Sequence, residues 1–292
     1  MSNIALLGAI EIGLVFGLVA LGVYLSFRVL QFPDLTVDGS FPLGAAVAAT
    51  LIVHHVNPWL ATLAAALAGA LAGLATAWLN LRLRILNLLA SILTMIALYS
   101  INLRIMGRPN VALLGEETVL SSLQDQAAPA YVLTPLAFAL AVLVIKLLLD
   151  RFLTSELGLA LRATGANPRM ARAHGIRTEH AILLGMALSN ALVALAGALF
   201  AQSQGSADVT MGVGVIVVGL AAVIGGEALL NPRRVAWATS ACILGSLLYR
   251  LIVALALNAD FLGLQAQDLN LITAVLVAAA LVLPRLRVGT TR

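Results

Sequence analysis

Long apolar stretches, most of them near the length that crosses a bilayer, follow one another down this chain with mostly short polar gaps between them. A hydrocarbon core of ~30 Å requires about 20 residues of α-helix. Nine stretches approach that length: 4–27, 38–54, 59–79, 86–106, 131–149, 180–203, 211–230, 235–257 and 269–284. The second and the last are short for a full crossing, so they are expected to be broken, tilted or partly re-entrant. Any unwound backbone there has to be buried in protein or line a wet cavity. Only 10% of the 292 residues are charged, against roughly 25% in a soluble domain, too few to cover a water-facing surface. The predicted fold class is therefore an all-α polytopic integral membrane protein of about nine transmembrane helices.

The charges are informative by position. Of 17 basic residues, 16 are Arg and one is Lys146. Most of them lie in the gaps between apolar runs and they are not clustered as on a nucleic-acid-binding face, so no nucleic-acid partner is expected. Alternating the gaps places 14 of the 17 on one side. That side is cytoplasmic by the positive-inside rule, with the N-terminus outside and the C-terminus inside. Residues 1–7 carry no Lys or Arg, so they lack the basic region of a cleaved signal, and the first stretch is expected to remain as a helix. The lone cysteine, Cys242, excludes an internal disulfide.

An internal repeat is expected from two matches at an offset of 174 residues. Leu18-Val19-Ala20-Leu21 matches Leu192-Val193-Ala194-Leu195, and Asp34-Leu35-Thr36 matches Asp208-Val209-Thr210. Positions 18–37 contain seven identities with 192–211, where shared apolar composition gives roughly two. The two copies begin on opposite sides of the assigned topology, the pattern of an inverted repeat in a transporter. Asp34 and Asp208 are each expected to accept hydrogen bonds from amides at the start of the next helix, Asp34 inside and Asp208 outside.

The inner loop, residues 150–179, specifies more structure than a connection needs. Ser155 is a candidate N-cap with Glu156 in the first turn, and Gly165 a candidate stop. Asn167 then caps a second short helix, with Pro168 at its first position and Gly175 at its left-handed close. Arg169 and Arg172 stand on that second helix at i and i+3, with Met170 between them. Such a helix either docks a partner or lies on anionic lipid. Its shortness and weak amphipathicity favour docking.

Polar residues inside apolar stretches are functional candidates by default. Glu11 lies within the first stretch, where Arg104 or Arg250 is a potential ion partner. Asn102, Ser189, Asn190 and Tyr99 are expected to line a path or join helices. Asp34, Thr36 and Asp38 cluster with Gly39 and Pro42 where the second stretch begins, and are expected to satisfy exposed amides of a helix bend. No phosphate-binding Gly-x4-Gly-Lys-[Ser/Thr] loop is present, since Lys146 has no preceding Gly, so this chain does not hold ATP in that way. His54-His55 and His174 with His180 lack zinc spacing and acidic companions, and no Gly-x-Ser-x-Gly elbow occurs. Neither a cofactor, a metal nor an enzymatic activity is expected.

Residues 157–176, then Ser189-Asn190-Ala191-Leu192-Val193-Ala194-Leu195-Ala196-Gly197, then Gly225-Gly226, carry a family resemblance. They resemble the permeases of the branched-chain amino acid and simple-sugar class of ATP-binding cassette importers. In that class the loop that docks the ATPase is marked by a Gly, an Arg-Ala pair, a small or Asn residue and an Ala-x3-Gly-Ile ending. The matching positions are Gly158, Arg162-Ala163, Asn167, and Ala171 with Gly175-Ile176. The segment Phe32-Pro33-Asp34-Leu35-Thr36-Val37-Asp38-Gly39-Ser40-Phe41 departs from the Asn-Phe-Ala-like motif of the amino acid permeases. There the chain looks like a less characterised branch, associated with aromatic amino acids. The resemblance implies a single permease domain, 1–292, with a cytoplasmic coupling loop at 150–179 that includes Arg162, Asn167, Pro168, Arg169, Met170, Arg172 and Gly175. It also implies a homodimer in a bacterial cytoplasmic membrane, a separate ATP-binding subunit and an extracytoplasmic binding protein. The solute would be an amino acid or related small polar compound. The competing reading is an ion-coupled secondary transporter with Glu11 as its ion site.

Overall fold

A computed structural model describes residues 3–121, 130–230 and 234–257. The described chain is almost wholly helical. Helix α1 (Asn3–Val23) runs into a π-helical turn (Tyr24–Val29). Then follow α2 (Val37–Val53), α3 (Pro58–Leu83), α4 (Asn87–Met106), α5 (Ala130–Thr154), α6 (Glu156–Ala166), α7 (Pro168–Ala173), α8 (Thr178–Gln204), α9 (Val215–Leu230) and α10 (Val235–Leu257). Eight of the nine expected spans coincide with helices; the ninth, 269–284, lies outside the described residues. Among the described residues five helices are long and apolar enough to cross a membrane: Leu6–Val29, Pro58–Leu83, Asn87–Met106, Thr178–Gln204 and Val235–Ala256. The chain is an all-α polytopic membrane protein.

Helix α2 is short, as expected, at 17 residues. Helix α9 is also short. It starts at Val215 and spans 16 residues, because 209–214 form turns where the hydropathy pattern predicts helix from 211. Lipid-facing sides are recognisable by exposed bulk: Trp59, Leu63, Leu67, Leu71 and Trp78 stand out along α3. Such exposure is unfavourable in water and carries no penalty against hydrocarbon.

Helix α8 is the central post, and small residues let other helices reach its backbone. Ser189 Oγ donates to Gly22 O at 2.7 Å, and Ser203 Oγ donates to Glu11, so α1 and α8 are antiparallel. Helix α3 also runs against α8: Gly73 abuts Met186, Gly69 abuts Asn190, and Thr62 bonds Gln202. Helix α2 runs with α8, since Ser40 bonds Asn190 and Ala48 packs on Ala198. At the far edge Gly226 meets Ala241 and Gly245 meets Ala222, so α9 opposes α10. Helix α10 in turn opposes α1, through Gly17 against Ser246 and Gly13 against Leu247.

These directions test the repeat. Helix α1 opposes α8, and α9, which runs with α1, opposes α2. Both helices of the first copy are thus reversed in the second, as an inverted-topology repeat requires. The two Asp-x-Thr segments adopt the same turn as well: Thr36 N donates to Asp34 Oδ1 at 2.9 Å and Thr210 N to Asp208 Oδ1 at 2.8 Å. Past α4 and α8 the chain forms two short strands, β1 (Asn110–Ala112) and β2 (Ser206–Asp208). They pair antiparallel with Val111 opposite Ala207, which ties together the ends of α4 and α8 on the side assigned as external.

Candidate functional site

The two short helices meet head to head inside the bundle. Asp38, in the first turn of α2, accepts from Ile216 N at 2.8 Å (Oδ1) and from Gly214 N at 3.2 Å (Oδ2). It therefore reaches the start of α9, 176 residues further on, instead of closing a bend in its own segment as the sequence suggests. The backbones touch here: a Cβ on Gly212 would lie 2.0 Å from Asp38 O. The junction is level with the middle of α4, because Gly39 packs on Met95 and Leu98. It is also level with the middle of α8, through Ser40 and Asn190. Two positive helix ends thus share one carboxylate deep within the fold. Short helices whose N-termini converge at the repeat interface are the arrangement in which transporters build solute sites.

Behind this junction Asp34 is 1% exposed and its two oxygens have separate tasks. Oδ1 takes the Thr36 amide, and Oδ2 takes Asn190 Nδ2 at 2.8 Å. Asn190 Oδ1 accepts from Ser40 Oγ at 2.7 Å, and Thr36 Oγ1 meets Thr76 Oγ1 at 2.8 Å. Asp34, Thr36, Ser40, Thr76 and Asn190 thereby knit α2, α3 and α8 together. Asp208, its repeat mate, is only partly buried, and its carboxyl is held below the usual carboxylate range by the Thr210 hydroxyl and amide. The equivalence expected of the two aspartates therefore extends to the turn and stops there. Asp34→Ala strips partners from a buried network and should cost about 1–3 kcal/mol. Asp208→Ala should cost about 1 kcal/mol or less, because water replaces the lost acceptor. Asp34→Asn should also be costly, since one amide oxygen cannot serve both the Thr36 amide and the Asn190 amide. Thermal unfolding of the three purified variants in detergent checks this order; equal shifts for Asp34→Ala and Asp208→Ala would refute it.

A cavity of about 380 Å³ opens beside the junction, lined by Asp38, Gly39, Pro42, Met95, Tyr99 and Asn102 among others. Asn102 is fully buried. Its Nδ2 donates to Gly39 O at 3.2 Å, while its Oδ1 has no partner among the described residues. Ser189 is a helix joiner through its bond to Gly22 O. Glu11 lies apart from this cluster, bonded to Ser203. Its expected ion pair with Arg250 does not form. Arg250 instead places its guanidinium over the Phe16 ring, 4.0 Å from the centroid. Among the described residues no group of three potential metal ligands occurs.

The inner loop is as structured as its caps suggest. Ser155 Oγ accepts from Gly158 N, and Asn167 Oδ1 accepts from Arg169 N and Met170 N at 3.1 Å each. Pro168 opens α7, and Gly175 has φ +82°. Arg162, Asn167, Pro168, Arg169, Met170, Arg172 and Gly175 are all exposed, whereas Ala171 is buried. Gly165 does not stop its helix. It lies inside α6, where a Cβ would be 1.9 Å from Val29 O. That glycine lets α6 press on the end of the π-helical turn. The turn is fastened to α9 by Arg28, whose Nε is 2.9 Å from both Glu227 oxygens.

A bundle of reversed halves with paired short helices at its centre and a structured inner loop defines a membrane transport permease. Residues 5–283 match the family described as "Branched-chain amino acid transport system / permease component", and the chain belongs to that family. It is 39% identical over 277 residues to the "Tyrosine transport system permease protein" of Clostridioides difficile, covering 94% of this chain and 90% of that one. It is 29% identical over 234 residues to the "Probable branched-chain amino acid transport permease protein LivH" of Methanocaldococcus jannaschii, covering 75% of this chain and 72% of that one. Among solved structures, "PsaBC from Streptococcus pneumoniae in complex with Fab" shares the fold, with TM-score 0.52 and 15% identity over 96% of this chain and 91% of that one. The chain is thus the membrane-spanning permease subunit of an ATP-binding cassette importer, and the ion-coupled reading built on Glu11 falls away.

Proposed function

We propose that this permease imports an aromatic amino acid of the tyrosine type, as a homodimer in a bacterial cytoplasmic membrane. A separate ATPase docks on the coupling loop at 150–179, and an extracytoplasmic binding protein delivers the solute. The coupling assignment rests on the pair of capped helices α6 and α7, which hold Arg169 and Arg172 outward from a buried Ala171. The contact of α6 with the π-helical turn supplies a rigid route from that loop into the bundle. The tyrosine-type solute is supported by similarity along nearly the whole chain to a relative named for tyrosine transport. The head-to-head helix junction, and the cavity that opens beside it, support the same reading.

The test is reconstitution of the permease with its ATPase and binding protein in vesicles. Tritiated L-tyrosine should accumulate only when ATP is supplied on the ATPase side, and a protonophore should leave the rate unchanged. Uptake without ATP that collapses with the protonophore would overturn the proposal.

A further inference from the structure

We propose that the inner end of α8 is a phosphate site that holds the headgroup of an anionic phospholipid, in a pocket between the close of α7 and the first turn of α8. The pocket has a volume of about 250 Å³ and is lined by Arg172, Ile176, Arg177, Thr178, Glu179 and His180. The first turn of α8 is uncapped. Arg177 stands at the N-cap position and makes no capping bond, and the first amide of the helix with an acceptor is that of Ala181, on Arg177 O. The amides of Thr178, Glu179 and His180 therefore have no acceptor among the described residues. Thr178 is an independent sign of a ligand. It is 6% exposed and lines the pocket. Its hydroxyl has no hydrogen-bond partner among the described residues, yet it is not one of the partnerless side-chain atoms sealed from solvent. It is thus open to the pocket, and a hydroxyl held inside the fold without a partner is costly. The guanidinium groups of Arg172 and Arg177 have no ion partner among the described residues either. Glu179 is the one carboxylate among the lining residues, so two arginines leave the rim net positive.

The donors select the anion. Free amides at a helix N-terminus, a hydroxyl and two planar guanidinium forks suit the several oxygens of a phosphate. The depth of the pocket selects the source. The 27 residues of α8 span about 40 Å, against a hydrocarbon core of ~30 Å, so its end turns stand in the headgroup layers. Packing on α3 fixes the level of the inner end. Gly69 abuts Asn190 and Gly73 abuts Met186, and continuing that antiparallel register puts Arg82 level with Arg177. Trp78, one turn nearer the membrane centre, is exposed, as are Leu83 and Leu86 beyond it. Arg82 and Arg84 are exposed as well. An exposed tryptophan followed by basic residues marks the headgroup level of the inner leaflet, where basic pockets recognise acidic headgroups. A zwitterionic headgroup would carry its own ammonium toward Arg172 and Arg177, so the anionic lipid is preferred. The bound lipid would brace α8, the post on which the other helices pack, at the point where the coupling loop joins it.

Native mass spectrometry of the full-length permease in detergent tests the site, with dioleoyl phosphatidylglycerol, dioleoyl phosphatidylcholine and inorganic phosphate as probes. A single phosphatidylglycerol per chain should be retained, preferred over phosphatidylcholine by about tenfold, the factor carried by one hydrogen bond to a charged group. Inorganic phosphate should not displace it, because the acyl chains hold the lipid at this level. Arg177→Asp fills the site from within: an aspartate at the N-cap takes the free amides, and its charge repels phosphate. Retention should fall about tenfold or more, while the unfolding temperature stays at or above that of the parent. Thr178→Val keeps the shape of the side chain and removes the hydroxyl, and should weaken retention about threefold. In the complex of permease and ATPase the lipid should remain bound. Equal retention of both lipids by the parent, or unchanged retention by Arg177→Asp, overturns the site. Displacement by inorganic phosphate overturns the lipid as its occupant. Displacement by the ATPase also overturns it, and gives the pocket to an acidic side chain of that partner. None of these results touches the transport reading, which stands or falls on ATP-driven uptake.

Discussion

Reversing both arginines of α7, Arg169→Glu with Arg172→Glu, should reduce ATP-driven uptake at least tenfold, on the order of a lost interface hot spot, while the protein still inserts and assembles. Helix α7 has only six residues and is fixed by its ends, with the Asn167 side chain on two amides at its start and Gly175 turning the chain at its close. Ala171 is fully buried against the rest of the fold, so the opposite side of the helix is pinned outward. The charge presented there changes by four units with no buried atom disturbed, so stability should be unaffected. Electrostatic complementarity governs partner encounter, and juxtaposed like charges oppose docking. The measurement is stimulation of the ATPase by the permease in vesicles, made with neutral and with anionic lipid. Loss of stimulation in both lipids supports partner docking. A double variant that couples at the wild-type level refutes it. A defect confined to anionic vesicles would mean that α7 lies on the membrane surface.

What could be read from the sequence depended on the range of the interaction. Features set within a few residues came through. The spans follow from apolar run length. The caps at Ser155 and Asn167 follow from residues two or three positions from the amides they serve, and the Asp34 and Asp208 turns close over two residues. Even the inverted repeat is legible, because the copies kept the same local turn. Features set across the bundle did not come through. Nothing near Asp38 indicates that its partners are the amides of Gly214 and Ile216, since backbone N–H groups carry no sequence label. Glu11 and Arg250 suggest an ion pair by charge, whereas packing gives one a serine and the other a phenylalanine ring. Gly165 shows the same limit. As a letter it reads as a helix stop; in the fold it is a place where α6 needs room for Val29 O. The orphaned Oδ1 of Asn102 is likewise a property of the folded bundle, because its status depends on which way Gly39 O points.

Filling one of the closest helix crossings should have the largest effect on stability. Gly44→Ala is expected to destabilise the permease by about 3 kcal/mol or more, beyond the usual range for overpacking. The reason is what the new methyl would strike. A Cβ at Gly44 lies 1.9 Å from Ala194 O and 2.5 Å from Ala194 C, and backbone atoms inside a helix cannot rotate aside as a side chain can. Relief requires α2 and α8 to part by roughly 1 Å, which opens voids along a contact packed to crystal density. The neighbouring contacts cannot absorb that shift. On the same pair of helices a Cβ at Gly197 would meet Phe41 O at 1.9 Å, and on the other side of α8 a Cβ at Gly73 would meet Met186 O at 2.1 Å. Moving α2 away also draws Ser40 from Asn190 and loosens the network on Asp34. Gly225→Ala is the control: a Cβ there meets nothing within 4 Å, and alanine's better helix propensity should make it neutral or slightly stabilising. Fluorescence-detected size-exclusion chromatography after a heating series separates the two. Gly44→Ala should lose its monodisperse peak at a clearly lower temperature than the parent, or fail to yield one. If the Gly44→Ala and Gly225→Ala proteins melt together, α2 and α8 are not in backbone contact and the central packing described above is wrong.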